Sequence, residues 1–311
     1  MIRKLAGFAF LCAALGLTVS LPTSSAQDAP NVQPAKDKPL HIGMVKTFFN
    51  DLPQSFVDLG GSIFMDSMKS ITGLEGTLSS RDEAFEVARK LDKGELQLAV
   101  FHGHEFAWVQ KKYPKLTPMV MAVNKYHDVR AYVIVHKNNP AKTLADLRGK
   151  KIEVPMMSKQ HCLICLERQC TDNAQPNLKA FFGDIGRPTI VISAFNGVAS
   201  GTANAVLIDT IGVEQYKENK GPTFEKHLRI LYQSESFPPP VIVYKEGSLE
   251  PATFAKVRDG LLKAHVNPAA TDILKMWHIE SFEPIPPTYS KSLVDVLKSY
   301  PSPEATKVTM R

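Results

Sequence analysis

Short apolar runs alternate along this chain with segments whose apolar residues recur at helical spacing. The runs are "LHIGMV" (40–45), "LQLAVF" (96–101), "RAYVIVH" (130–136), "TIVISAF" (189–195), "NAVLID" (204–209) and "PVIVYK" (240–245). Each is bounded by polar or turn residues and reads as a buried strand. Between them, "PQSFVDLGGSIFMDSMKSITG" (53–73) places Phe56, Leu59, Ile63, Phe64, Met68 and Ile71 at helical intervals, with Gly73 as C-cap. "SRDEAFEVARKLDKGE" (80–95) opens with Ser80 three residues before Glu83, a capping box. "KTLADLRGKKIEVP" (142–155) reads as short helix, Gly turn and strand, and "NGVASGTA" as a helix. Two more helices are expected over 250–265 and 289–300. Strand and helix alternating in this way predict an α/β fold with mostly parallel sheets.

The two ends of the first 40 residues have their own character. Arg3 and Lys4 precede the apolar stretch "LAGFAFLCAALGLTV", and "TSSA" ending at Ala26 offers small residues for cleavage. Residues 1–26 are expected to be a secretory signal peptide, which places the mature chain in the periplasm or outside the cell. Residues 27–39, "QDAPNVQPAKDKP", read as a flexible leader. Without residues 1–26 the chain carries 35 Lys and Arg against 31 Asp and Glu, a mild and interspersed excess. Nucleic-acid binding, which calls for a basic stripe, is not expected.

Chemistry concentrates in two places. "MMSKQHCLICLERQC" (156–170) holds Cys162, Cys165 and Cys170 with His161. On a helix Cys162 and Cys165 share a face, whereas Cys170 lies about 140° round from Cys165. The order His-Cys-x-x-Cys is not that of covalent haem attachment. "FHGHEF" (101–106) brackets Gly103 with His102 and His104. Two imidazoles and two thiols suit zinc or copper, so His102, His104, Cys162 and Cys165 form a candidate metal or redox set. In an oxidising compartment a simple disulfide between the cysteines is an equal competitor. No G-x-S-x-G elbow, P-loop, dinucleotide fingerprint or HExxH is present, and no enzyme is expected.

Four segments in this order resemble the periplasmic solute-binding proteins of phosphate/phosphonate-type ABC transporters. They are "ARKLDKGELQLAVFHGHEFAWV", "YHDVRAYVIVHKNNPAKTLADLRGKKIEVP", "NGVASGTANAVLIDTIGVEQY" and "ILYQSESFPPPVIVYKEG". "KTLADLRGKK" is the most specific piece, and the resemblance spans 40–300. It implies a two-lobed type II periplasmic-binding-protein fold with the ligand in a cleft. Lobe one would be 40–130 plus 237–311, and lobe two 131–236.

The resemblance further implies a monomer that captures a small anion and delivers it to the membrane subunits of an importer. It puts the stretch at 156–170 on the cleft wall, where Ser158, Lys159 and His161 start a helix whose N–H groups hold an oxyanion. His102, Gly103 and His104 would face it from the other lobe. Tyr126 matches the family's ligand-facing aromatic residue. Asp209 matches its acidic contact, with a helix N-cap as the competing role. His127 reads as a hinge-surface residue, and His41, His136, His227, His265 and His278 as surface or satisfied residues.

Overall fold

The computed structural model describes residues 39–303. The expected signal peptide and nearly all of the leader lie outside the described residues. In chain order the elements are β1 (Leu40–Val45), α1 (Gln54–Thr72), β2 (Gly76–Asp82), α2 (Ala84–Asp92), β3 (Leu98–Phe101), α3 (Gly103–Gln110) and β4 (Leu116–Val123). There follow β5 (Ala131–His136), β6 (Lys151–Glu153), α4 (Gln160–Asp172), α5 (Leu178–Phe181), β7 (Asp184–Gly186), α6 (Val191–Ala199), β8 (Ala205–Asp209), α7 (Thr210–His227) and β9 (Leu228–Gln233). The chain then closes with β10 (Val241–Lys245), α8 (Pro251–Leu262), α9 (Thr271–Met276), β11 (Ser281–Glu283) and α10 (Tyr289–Ser299).

The strands form two sheets, in the orders β11-β4-β10-β3-β1-β2 and β7-β6-β8-β5-β9. The first takes strands from both ends of the described chain and the second only from its middle. The polypeptide therefore passes between the sheets twice, through 124–130 and 234–240. The sheets are mixed rather than mostly parallel. β1 runs parallel to β2 and β3, and β6 to β7 and β8, but β10, β11 and β5 pair antiparallel with all their neighbours. The antiparallel strands β5 and β10 directly follow the two passages, where the chain enters a new sheet without a preceding crossover helix.

Several sequence expectations change for identifiable reasons. "TIVISAF" is not a strand: its last five residues open α6, whose buried side chains are Ala194, Phe195 and Val198. Their helical spacing outweighs the modest helix cost of β-branched Val191 and Ile192, which stay largely exposed in the first turn. The capping box at Ser80 and Glu83 does not form, because Ser80 belongs to β2 and Glu83 is itself the N-cap of α2. β2 is a polar edge strand, so it lacks an apolar signature. A capping box does form at Thr143 and Asp146. β4 contains Pro118, tolerated because its pairing with β10 is irregular at that point.

Helix α1 ends at Gly73, in the left-handed conformation at φ 71°. Its buried face differs from the expected stripe, since Phe56 and Leu59 are 62% and 58% exposed. Val57, Gly60 and Gly61 are buried together with the expected Met68; Gly61 lies against Leu78 of β2 and Gly60 against Met276 of α9.

At the start of α3, Gly103 abuts the second passage. A Cβ there would collide with the Pro238 carbonyl and ring. Replacing Gly103 with alanine must push the passage away from lobe one. Gly103→Ala should cost about 1–3 kcal/mol in chemical denaturation, the usual range for overpacking against backbone.

Candidate functional site

Between the lobes lies a cavity of about 170 Å³. From lobe one, β3 ends at Phe101 and the chain turns directly into α3, presenting His102, Gly103 and His104 to it. From lobe two, α4 begins at Gln160 and presents Ser158, Lys159, Gln160 and His161. Asp209 and Thr210 enter at the junction of β8 and α7. Phe237 and Pro238 of the second passage line the same space.

Three helices thus start at the cleft, and they differ. α7 is capped by its own residue, the Asp209 carboxylate accepting from the Gly212 N–H at 2.8 Å. α3 and α4 have no side-chain cap at their N-cap residues His102 and Lys159. Their first N–H groups have no intrahelical acceptor and carry the positive end of the helix dipole. Asp209 therefore occupies the N-cap role and the cleft position together.

Electrostatically, burial keeps the two imidazoles of the lobe-one wall uncharged. Burial pushes the His102 imidazole well below its ordinary value and His104 down to about 3. Burial also lowers His161, whose Nε2 donates to the Arg130 carbonyl at 3.2 Å. Glu105, behind the wall, is raised to about 8 by burial, although the Thr47 hydroxyl donates to it at 2.9 Å and the His102 backbone N–H offsets part of the shift. The Nε2 atoms of His102 and His104 are buried without hydrogen-bond partners. The His102 ring stacks on Phe48 at 3.8 Å and lies 5.5 Å from the His104 ring. Lys159 brings the cation to this cleft.

The lobes also touch at the cavity mouth. Asp51 of lobe one accepts from the Met157 N–H at 3.2 Å and pairs with Arg187 of lobe two. Asn50 donates to Gln160 at 2.8 Å.

Of the residues singled out in the sequence, His102, Gly103, His104, Ser158, Lys159, His161 and Asp209 all border the cavity. Tyr126 does not. Its hydroxyl donates to Glu218 of α7 at 3.1 Å. Ser158 is near the cavity, but its hydroxyl donates to the Pro155 carbonyl at 2.6 Å.

Cys162 and Cys165 also leave the expected set. With Cys170 they are free thiols buried in the apolar core under α4, and none of the three borders the cavity. Burial pushes Cys162 well up and Cys165 and Cys170 to about 11. The buried arc of α4 is broad enough to take in Cys170, despite its angular offset. Among the described residues no three His, Cys, Asp or Glu side chains converge as metal ligands.

The sequence reading missed that His278, an exposed residue as expected, also borders the cavity beside Trp277. It also missed Thr47, Phe48 and Asn50 after β1. These carry no motif, and only the topology brings them to the cleft.

The family model for the phosphonate periplasmic substrate-binding protein of ABC transporters matches residues 62–288. The chain belongs to this family. As a phosphonate-type substrate-binding protein it is a transporter component, with a small ligand and membrane transporter subunits as its partners and the periplasm as its compartment. No helix among the described residues is long and apolar enough to cross a membrane.

Solved structures share the two-lobed fold. A binding protein component of an ABC phosphonate transporter from Pseudomonas aeruginosa aligns with a TM-score of 0.53 at 14% identity, over 85% of this chain and 87% of that one. A Prochlorococcus marinus protein in complex with methylphosphonate aligns at 0.54 and 13% identity, over 84% and 97%. A Xanthomonas citri protein bound to ATP gives 0.54 and 16%, over 84% and 96%. No curated protein matches the sequence.

The buried groups set the binding protein's pH profile. The three imidazoles contribute stability that is present above about pH 6.5 and lost as pH falls below it, because the unfolded chain binds protons the fold refuses. Glu105 works the other way. Its contribution is full below the ordinary carboxyl value of 4.5 and is lost as pH rises toward 8. Stability in urea should therefore peak near pH 6–7. Glu105→Gln should flatten the alkaline limb, whose slope is at most about 1.4 kcal/mol per pH unit, and leave the acid limb in place.

Proposed function

We propose that this protein is the receptor of an ABC importer for a small anion of the phosphonate or phosphate type. The anion's oxygens are held between the open start of α4 and the imidazoles of α3. The observation that carries this reading is the pairing of two helix starts that lack an N-cap side-chain bond, one from each lobe, across a space lined by Lys159, His102 and His104. Free N–H groups and a dipole favour an oxyanion at such a place. The ligand bridges the lobes and so favours the closed arrangement by its differential affinity for it.

Titration calorimetry with methylphosphonate, phosphite and phosphate should reveal at least one ligand binding tighter than about 100 μM, near −5.5 kcal/mol. Lys159→Ala should weaken it about tenfold or more. Ser158→Ala should change it much less, since that hydroxyl is engaged by Pro155. No heat with any of the three, or stoichiometric zinc or copper in protein purified without chelators, would overturn the reading.

A further inference from the structure

The cavity does not stop where a small anion would. From the imidazoles it continues past Phe48 and Trp277 into lobe one, beneath α1 and α9 and over the face of the sheet formed by Met44, Val100 and Ile242. There its walls are Met68 and Ile71 of α1, Leu274 of α9 and Phe282 of β11. The polar residue among them, Ser67, turns its hydroxyl to the Ala269 carbonyl at 3.4 Å.

Protein interiors pack to the density of organic crystals, and a void under a helix layer forfeits contacts. A void lined by aliphatic side chains stays dry and takes apolar guests. Polarity is also segregated along the cavity. Lys159, the open start of α4 and Asp209 stand at the lobe-two end, while the far end in lobe one is aliphatic and aromatic. At the neck, Trp277 lies 5.4 Å from Phe48, and its Nε1 is buried without a partner, a donor facing no protein acceptor. Phosphate, phosphite and methylphosphonate would leave this entire limb unused.

We infer that the site takes an oxyanion with an extended apolar substituent, an alkyl- or arylphosphonate, whose head sits at α4 and whose tail fills the chamber between α1, α9 and the lobe-one sheet. The inference rests on the anion reading above and adds the tail to it. The aromatic pair Phe48 and Trp277 forms the collar through which the tail passes. Ala270, the buried last residue of the 3-10 turn before α9, lines this chamber.

The test is a calorimetric series on the full chain with methyl-, butyl-, hexyl- and phenylphosphonate. Each methylene that enters the chamber should tighten binding about threefold to fourfold, so hexylphosphonate should bind at least about tenfold tighter than methylphosphonate. Ala270→Leu, which fills part of the chamber, should flatten the series while methylphosphonate affinity stays at the unsubstituted level. That retained affinity also reports that the variant is folded. If methylphosphonate binds and lengthening the chain brings no gain, the tail inference is overturned and the anion reading stands. If no member binds, the anion reading itself fails and the tail inference falls with it. If Ala270→Leu binds methylphosphonate normally and keeps the full chain-length gain, the chamber is not where the tail goes.

Discussion

The cleft is organised around a contact that involves no side chain on one of its partners. The backbone of Gly103 lies against the Pro238 carbonyl, which brings the start of α3 onto the second passage between the lobes. Because that approach is so close, β3 can end at Phe101 and give way at once to a helix whose first turn faces the other lobe. The same approach buries His102, His104 and Glu105 together, and their neutrality follows from that burial rather than from any partner. The hinge, the polar wall and the open helix start are thus one packing arrangement.

Charge is divided between the lobes as a result. Lobe one contributes neutral imidazoles, apolar surface and Asp128, which is paired with Arg130. Lobe two contributes Lys159, Asp209 and the start of α4. Asp209 would repel an anion were it free, but it is committed to the Gly212 N–H at the start of α7. Its charge is spread over a helix end and helps to keep His161 from falling further in proton affinity. The Asp51 contacts to Met157 and Arg187 close the mouth from outside and can form only when the lobes approach.

Much of this was legible in the sequence, and the boundary of legibility is physical. β1, β3, β5, β8 and β10 are apolar runs that cannot be satisfied at a surface, so pattern alone placed them. The cleft residues of α3 and α4 followed from the order of segments and the resemblance they carry. What the pattern hid was position in space. β2 is polar because it is an edge, and α6 begins with β-branched residues because those residues need no burial. Cys162 and Cys165 sit beside His161 in sequence, yet one turn of helix separates cleft from core: His161 borders the cavity and the thiols point behind it. Tyr126 was drawn away by a local partner, Glu218, that no motif announces. Trp277 and His278 come from a segment remote in sequence, and only the folding of α9 against α1 delivers them.

The three buried thiols have a consequence for how this protein comes into being. A periplasmic chain meets oxidants before it is folded, and at that moment Cys162, Cys165 and Cys170 are exposed and close in sequence. Once α4 docks, they have neither solvent access nor an accessible thiolate. The fold therefore acts as a protecting group that is installed late. A reduced native core requires that α4 dock before the three thiols are oxidised.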